Sequence, residues 1–379
     1  VERGLEPLAA GPRAVDALHG QVVVGFPPRV VTQHYVDPLA TIWLAAARGV
    51  GLRVIRTSDA YAITRGDGIL GLGVDNTLDA DDSLAQMIFH ELCHWLVQGE
   101  DAAAKADWGL DNTSDTDVWR EEACLRAQWV LAGRYGVRAL MAPTTDFRAL
   151  WDGFAGDVLA DRDDASVRAA IVALHRAERK PWAPHLERAL TATAAVAAAV
   201  RAAGDAGDAT SLWAAPDAPV PLHPTGLPGG ATDRTCGDCA WRYEGGPGHR
   251  AARCRQASGK RVDGAWAGCE RFEAALDCLT CGACCREAYG SVEVGRRERF
   301  RVTHPELVMD RGNYLEIKRA GDRCAALGGG LPVLGDDGRV RVSAYACAVY
   351  DARPKTCRDF TLGSDNCLDA RRRVGMSVG

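Results

Sequence analysis

The sequence has no apolar run approaching the roughly 18 residues of a transmembrane helix. It begins Val1-Glu-Arg-Gly-Leu-Glu-Pro, without the basic and apolar segments that mark a secretory signal. The net charge is only −5 over 379 residues, so no strong field of one sign indicates a nucleic-acid or membrane partner. We therefore expect a cytoplasmic protein that does not bind membranes.

Cysteine is scarce in the first 213 residues, which contain only Cys93 and Cys124. The other twelve of the fourteen cysteines lie in the last 144 residues. A disulfide framework is typical of small secreted domains that lack a sufficient core, and this chain is neither small nor visibly secreted. The crowding of cysteines therefore predicts metal binding in a reducing compartment, with Cys93 and Cys124 as buried core residues.

The length of the chain allows two or three domains. Composition divides it into an Ala- and Leu-rich part at 1–213, a Pro/Gly-rich linker at 214–232, a four-cysteine module at 233–275 and an eight-cysteine module at 276–379. In the first part, the pattern predicts a helix over 38–48, strands over 51–57 and 60–64, and a hairpin strand over 69–74. The fold class expected is α+β, with irregular cysteine-rich modules following a mixed domain.

The sequence His90-Glu91-Leu-Cys-His94 lies on the next predicted helix, which spans 84–97, begins after N-cap residues at 79–83 and stops at Gly99. Histidines four residues apart point the same way, as two ligands of one zinc ion do. Glu91 beside them is placed to take a proton from a metal-activated water and deliver it to a leaving amine. This pattern predicts a zinc hydrolase site.

A third zinc ligand is expected from the following helical pattern, which covers 117–130. Glu122 lies in an apolar stripe with Val118, Leu125 and Trp129, whereas Glu121 shares a polar stripe with Cys124 and Gln128. A carboxylate within an apolar stripe is costly unless it is paired or bound to metal. Glu122 is therefore the predicted ligand and Glu121 the reserve.

Residues 40–130 resemble the zincin metallopeptidases, in particular the gluzincins, in which a glutamate on a later helix completes the zinc site. The resemblance implies that His90, His94 and Glu122 bind zinc, that Glu91 is the general base, and that 69–74 is an edge strand pairing with an extended peptide or protein substrate. The residues after Glu122 depart from the Asn-Glu-x-x-x-Asp signature of the best-known members.

The four-cysteine module has one close pair followed by two single cysteines, namely Cys236, Cys239, Cys254 and Cys269. Four thiolates are enough for one zinc ion or one 4Fe-4S cluster, and the spacing leaves both open. The pattern, with its interleaved tryptophans, resembles the small high-potential-iron-protein-like modules attached to some radical enzymes. That resemblance implies an iron-sulfur cluster, with structural zinc as the alternative.

The last module contains eight cysteines: Cys278, Cys281, Cys284, Cys285, Cys324, Cys347, Cys357 and Cys367. Their spacing, together with the Arg353-Pro-x-x-Cys-Arg358 sequence, resembles the YkgJ-type cysteine-cluster family, named for zinc or iron chelation. Twelve cysteines after the linker equal three sets of four, the complement of three four-thiolate centres. We expect up to three 4Fe-4S clusters.

Residues 278–379 contain 17 Lys and Arg against 13 Asp and Glu. Arg353 and Arg358 are placed to offset the negative charge of thiolate-bound clusters. Nucleic-acid binding is the competing use of such an excess, but the segment lacks an interleaved aromatic platform, so we do not expect it.

These patterns leave three hypotheses open. In the first, the protein is a zinc-dependent peptidase or amidase whose iron-sulfur clusters sense redox state, recognise substrate or stabilise the fold. In the second, the clusters carry out redox chemistry or modify a peptide or protein, an electron donor is a further partner, and the zincin-like domain binds the substrate. The third and weakest is a non-enzymatic metal-binding regulator. The role of Glu91 separates the first two: if the first is right, replacing Glu91 abolishes hydrolysis and leaves zinc bound.

Overall fold

The computed structural model describes residues 30, 32–143, 147–203, 210–215, 217–230, 233–245 and 251–378. The chain divides into two compact units, Val1–Asp37 and Pro38–Gly379. The first unit is described only at residue 30 and at 32–37, which are exposed and have no regular structure. The start of the chain, Val1 to Pro7, lies outside the described residues. None of the described helices is both long and apolar enough to cross a membrane.

The front half of the second unit mixes helices with a small sheet, as expected for an α+β chain. Its elements are α1 (Pro38–Gly49), β1 (Arg53–Thr57), β2 (Ala62–Thr64), β3 (Ile69–Gly73), α2 (Leu84–Gln98), α3 (Val118–Arg134), α4 (Arg148–Asp152), α5 (Ala165–Ala177) and α6 (His185–Ala202). The predicted helices over 38–48 and 84–97 and the predicted hairpin agree with α1, α2 and the β2–β3 pair.

The sheet has the order β1-β3-β2, in which β3 runs parallel to β1 and antiparallel to β2. Both sides of β3 are therefore occupied, and the expectation that 69–74 forms an edge strand is wrong. Leu70 and Leu72 are fully buried, as is typical of a central strand. Gly71 allows the neighbouring strand to approach, because a Cβ there would lie 2.8 Å from the Ile63 side chain. The sheet edges are β1 and β2.

Helix α2 is the centre of the front half. Its N-terminus is capped by Ser83, whose hydroxyl oxygen accepts a hydrogen bond from the Gln86 amide at 3.2 Å. Every residue from Ala85 to Val97 is buried, because α1, α3 and α5 all pack against this helix. A helix that is buried all round can hold polar side chains only where they find partners. His90, Glu91 and His94 are therefore expected to have hydrogen-bonding or ionic partners.

The cysteine-rich half consists of short strands and turns. Its elements are β4 (Arg242–Glu244), β5 (Ala252–Cys254), β6 (Lys260–Arg261), α7 (Cys278–Cys281), β7 (Glu293–Val294), α8 (Phe300–Thr303), β8 (Val308–Asp310), β9 (Leu315–Ile317), β10 (Arg319–Ala320), β11 (Arg323–Cys324), β12 (Leu327–Gly328), β13 (Pro332–Leu334), β14 (Val340–Val342), β15 (Ala346–Cys347), α9 (Lys355–Arg358) and α10 (Asp365–Arg373). Three-stranded sheets form from β4-β5-β6 and β7-β9-β8, and the other strands pair in twos.

Helix α5 joins the two halves. It packs against α2 and α3, and it also contacts β14 and α10 of the cysteine-rich half. The Val342 amide donates to the Asp163 carbonyl at 3.1 Å just before α5 begins. After α10, Gly375 has φ +73°, and a Cβ there would lie 1.9 Å from a methyl group of Val172. The close approach of this turn to α5 therefore requires glycine.

The predicted linker at 214–232 is hydrogen-bonded along its described residues. The Val220 amide donates to Gly133 at the end of α3, at 3.0 Å, and the Gly230 amide donates to Gly268 at 2.9 Å. Gly229 forms an isolated antiparallel bridge with Cys269. This segment therefore contacts both the front half and the four-cysteine module, and it also contributes a side chain to that module's pocket.

Candidate metal centres

His90 and His94 point their Nε2 atoms at each other across one turn of α2. The two nitrogens are 3.1 Å apart, and the rings meet edge to face with centroids 4.6 Å apart. Both residues are at least nine-tenths buried. Two nitrogen lone pairs this close in a buried environment repel each other unless a proton or a cation lies between them. The structure thus brings together the two histidines that the sequence predicted.

Glu121 supplies the third donor. Its carboxylate oxygens lie 3.3 Å from His90 Nε2 and 3.2 Å from His94 Nε2. Among the described residues, one group of three or more His, Cys, Asp or Glu side chains is compact enough to hold a single ion, and it consists of His90, His94, Glu121 and Cys124. Glu122 does not belong to this group. The geometry therefore places Glu121, the reserve, rather than Glu122 beside the two histidines.

The reason lies in which face of α3 is buried against α2. Cys124 and Gln128, which share the stripe of Glu121, are fully buried, and so is Leu125 in the stripe of Glu122, so α3 buries parts of both stripes. The polar stripe is the one that meets α2, because Cys124 and Gln128 contact His90. An apolar stripe marks a buried face of a helix, but it does not tell which buried face meets a polar site.

The three donors fit a zinc ion. Zinc bonds of about 2.0–2.1 Å at tetrahedral angles place the donor atoms about 3.3–3.4 Å apart. The three separations in the structure, 3.1, 3.2 and 3.3 Å, are close to that value. Imidazole nitrogen and carboxylate oxygen are also donors that zinc accepts.

The electrostatics of the site favour a bound positive charge. Burial would raise the pKa of Glu121, but the two imidazoles outweigh it and hold that pKa at about 2. Burial would likewise lower the pKa of His90, but the carboxylates of Glu121 and Glu91, with hydrogen bonds that His90 donates to Glu121 and Gln128, raise it to about 9. Glu121 is thus a carboxylate at neutral pH, and it stabilises positive charge between the histidines.

Gln128 fixes the tautomer of His90. Its side-chain oxygen lies 2.9 Å from His90 Nδ1, while its amide nitrogen donates to the Met141 carbonyl at 2.9 Å. The second bond determines which way the amide points, so the oxygen accepts the Nδ1–H and the Nε2 lone pair faces Glu121 and His94. Such an orienting partner is typical of metal-binding histidines.

We expect Gln128→Leu to weaken zinc binding by about 10- to 100-fold, because the variant loses the acceptor that holds His90 in its metal-binding tautomer. Competition of the purified protein with a chromophoric chelator measures this change. Glu122→Gln, on the same helix but outside the compact donor group, is the control and should leave the zinc affinity unchanged. Equal affinities for wild type and Gln128→Leu would show that the amide does not orient the ligand.

Cys124 lies beside His90 but on the other side of the ring from Nε2. Its sulfur is 3.7 Å from Nδ1 and donates to the His90 carbonyl at 3.6 Å. Burial, together with a hydrogen bond involving Cys93, raises the pKa of the Cys124 thiol well above its usual value. These contacts agree with the expectation that Cys93 and Cys124 are core residues, although Cys124 lies closer to the site than the sequence indicated.

Glu91 is held by Trp108. The indole nitrogen donates to Glu91 Oε2 at 2.7 Å, and the Trp108 ring stacks on Trp95 with centroids 5.7 Å apart. Asp107 and Trp108 have φ of 44° and 57°, values that L-residues rarely adopt. Strained backbone persists where the surrounding contacts hold it, and it is common at functional sites. Sequence reasoning missed Trp108, whose role depends on the loop that carries it.

The four-cysteine module gathers Cys236, Cys239, Cys254 and Cys269 around one small pocket. His223 also lines it, with Nε2 3.2 Å from the Cys236 sulfur and Nδ1 2.7 Å from the Thr225 hydroxyl. Burial, with smaller contributions from neighbouring thiols, raises the pKa of Cys236 to about 11 and that of Cys269 to about 12. Metal binding there would release protons. His223 was missed because the sequence assigned it to the linker.

All eight cysteines of the last module line a single cavity of about 380 Å³, which is mostly apolar. Gly282 ends α7 in the left-handed conformation at φ +60°, and a Cβ there would lie 2.7 Å from the Tyr345 ring. The chain can therefore turn sharply between Cys281 and Cys284 only with glycine at this position. The cavity wall includes the aromatic side chains of Tyr289, Tyr345, Tyr350 and Phe360.

The two arginines predicted to accompany these cysteines differ in position. Arg353 lines the cavity and lies over the Tyr350 ring, 3.6 Å from its centroid. Arg358 is exposed and donates to the Arg353 carbonyl at 3.0 Å, so it does not line the cavity. Arg371, which was not among the predicted residues, does line the cavity. It is 4% exposed and pairs with Glu273.

Arg371 is oriented toward the thiols. It lies one turn after Cys367 on α10, and its hydrogen bond and charge act on Cys281. Burial would lower the pKa of Arg371, but Glu273, Cys281 and Cys367 together raise it. The cavity thus contains a buried, permanently charged cation, which suits a negatively charged thiolate centre. The spacing from Cys367, four residues on a helix, was the signal that could have revealed it.

Comparison with known families finds one match. Residues 277–372 match the family model CxxCxxCC, described as a "putative zinc- or iron-chelating domain". This match covers the eight-cysteine module and supports metal binding by that part of the chain. No curated protein matches, and no solved structure matches.

Proposed function

We propose that the protein is a zinc-dependent hydrolase of the peptidase or amidase type that carries iron-sulfur clusters in its cysteine-rich half. One observation carries the hydrolase proposal: His90 Nε2, His94 Nε2 and the Glu121 carboxylate converge within 3.3 Å of one another. Glu91 follows His90 on the same helix and is 8% exposed. The set matches the donors and base that metal-assisted hydrolysis requires.

His90, His94 and Glu121 would hold the zinc. Zinc at this position would supply Lewis-acid chemistry, polarising a substrate carbonyl and lowering the pKa of a water molecule. Glu91 would accept a proton from that water and pass it to the leaving amine. Because Trp108 donates to Oε2 and thereby orients the carboxylate, we assign the proton transfer to the other oxygen, Oε1. The substrate class is a peptide or protein amide.

The test begins with protein stripped of zinc by a chelator and separated from it. We expect one equivalent of zinc to restore cleavage of a mixture of internally quenched fluorescent peptides. Magnesium should not restore it, because Mg²⁺ prefers oxygen ligands. Protein that binds one zinc at this site and cleaves none of these peptides would contradict the hydrolase proposal and favour the second candidate.

The second candidate is an iron-sulfur enzyme of redox or protein-modifying type, in which the zincin-like half binds the substrate and an electron donor serves the clusters. The cavity lined by all eight cysteines favours it. Within the part of the chain that the structure describes, no three cysteine thiols form a group as compact as the histidine site. Thiols that lie farther apart than the ligands of a single ion suit an iron-sulfur cluster, in which each thiolate binds a different iron atom.

Anaerobic purification tests the cluster assignment. We expect a brown protein with broad visible absorbance that contains both iron and acid-labile sulfide. A colourless protein whose cysteine-rich half contains zinc alone would overturn the iron-sulfur assignment but leave the hydrolase proposal intact.

A further inference from the structure

The eight cysteines of the last module line one cavity, yet two different sets of elements supply them. Cys278 and Cys281 lie one turn apart on α7, Cys284 follows in the next turn, and Cys367 lies on α10. Helix α10 packs against the Ala283–Cys285 turn. Two hydrogen bonds fix it there, from the Tyr289 hydroxyl to Asn366 at 2.8 Å and from Arg373 to Ala288 at 3.0 Å.

The other four cysteines belong to a separate packing unit. Cys324 of β11 is buried in a hydrophobic core with Val294, Phe300, Leu315, Ile317 and Val349, and Cys285, Cys347 and Cys357 pack against that core. Cys281 and Cys284 instead pack in a different core that includes Ala370 and Met376 of the C-terminal segment. Cys367 packs in a third group, with Trp241 and Leu368.

Cys284 and Cys285 lie at the junction of the two groups. Their sulfurs are 3.9 Å apart, yet Cys284 packs against the core that includes Cys281 and Ala370, and Cys285 packs against the core that includes Cys324.

We propose that the eight cysteines form two separate four-thiolate centres, divided between the adjacent residues Cys284 and Cys285. The first tetrad is Cys278, Cys281, Cys284 and Cys367. The second tetrad is Cys285, Cys324, Cys347 and Cys357. This inference rests on the proposed iron-sulfur role, since it assigns one 4Fe-4S cluster to each tetrad.

The local backbone explains how neighbours can serve different centres. Cys284 and Cys285 lie in a 3-10 turn, in which successive side chains project about 120° apart. One therefore faces α7 and α10 while the next faces the strands. Their sulfurs are 3.9 Å apart, so the two centres lie side by side within one cavity. Arg371, one turn after Cys367 on α10, lines the cavity beside the first tetrad.

Three double variants of the full chain, purified anaerobically, test the division. Cys281→Ser/Cys367→Ser removes two ligands of the first tetrad, and Cys324→Ser/Cys357→Ser removes two of the second. We expect each to lose about four iron and four sulfide relative to wild type, and Cys281→Ser/Cys324→Ser, with one ligand from each, to lose about eight of each. Zinc bound at His90, His94 and Glu121 reports that each variant remains folded.

Spectra of the reduced proteins test whether the centres are adjacent. With dithionite as reductant, wild type should show an electron paramagnetic resonance signal broadened by interaction between two clusters. The two within-tetrad variants should each show a narrow, uncoupled signal. A narrow wild-type signal would overturn the side-by-side arrangement.

Several outcomes separate this division from the proposed function. If wild type contains zinc and no sulfide, the iron-sulfur assignment fails, but the division still predicts one zinc lost from each within-tetrad variant and two from the mixed one. If a within-tetrad variant loses as much metal as the mixed variant, the eight thiols form one centre and the division is wrong. Absence of any metal from the module would overturn both.

Discussion

Replacement of Glu91 by Gln should lower kcat/KM for peptide cleavage by about 10²–10⁴-fold while the protein still binds one zinc. The substitution keeps the size of the side chain and its contact with Trp108, but it removes the carboxylate that accepts and returns the proton. Glu91 does not contact the predicted ion as a ligand, so the zinc content should not change. Cleavage of quenched peptides and elemental analysis of the same preparation measure both quantities.

Two further variants give this experiment its controls. Glu122→Gln makes the same chemical change on α3, outside the compact donor group, and should retain wild-type cleavage. Trp108→Phe keeps the stacking on Trp95 but removes the hydrogen bond to Glu91, so it should lower kcat more than it changes KM. Undiminished cleavage by Glu91→Gln would show that hydrolysis takes place elsewhere or by other means.

The two halves that carry the candidate metal sites are connected in the structure, because α5 contacts both. On one side this helix packs against α2 and α3, which carry the candidate zinc donors, and on the other it contacts β14 and α10. Arg168 of α5 donates to the Thr280 carbonyl of α7 at 3.2 Å. A metal centre that ordered α7 and α10 would therefore also stabilise α5, the helix behind the histidine site.

Local sequence signals were sufficient for α2 and for the histidines on it. The Ser83 cap, the absence of Gly and Pro before Gly99, and the four-residue spacing of the histidines are properties of one segment, so no tertiary information was needed. The cysteine series could also be recognised from one stretch of sequence, because the CxxCxxCC family is defined by the spacing of its cysteines along the chain. The division into helices and a small sheet followed for the same reason.

Features that depend on packing between segments could not be predicted in this way. The position of β3 between β1 and β2 depends on which strands pair, and the alternation within 69–74 is compatible with a central or an edge strand. His223 and Arg371 line pockets together with residues that are distant from them in the sequence, so their positions depend on the tertiary fold. Composition alone had placed His223 in a linker, because Pro and Gly indicate turns but not what those turns contact.

The adjacent glutamates of α3 provide the sharpest test of the zinc site. We expect Glu121→Ala to weaken zinc binding more than about 100-fold, since even a partner outside the ligand set contributes about 10- to 100-fold. Glu122→Ala should leave the affinity unchanged. The two variants differ by one position on the same helix and remove the same group, so any general effect on helix stability or net charge is common to both.

The contrast between these glutamates also tests which face of α3 meets the histidines of α2. If α3 buried its apolar stripe toward α2, Glu122 would reach the histidines and Glu122→Ala would be the variant that loses zinc. The distances of 3.3 and 3.2 Å from Glu121 to the two imidazoles predict the opposite. Competition with a chromophoric chelator at neutral pH, performed on both variants and wild type, decides between them. Equal losses in both would mean that neither glutamate completes the site.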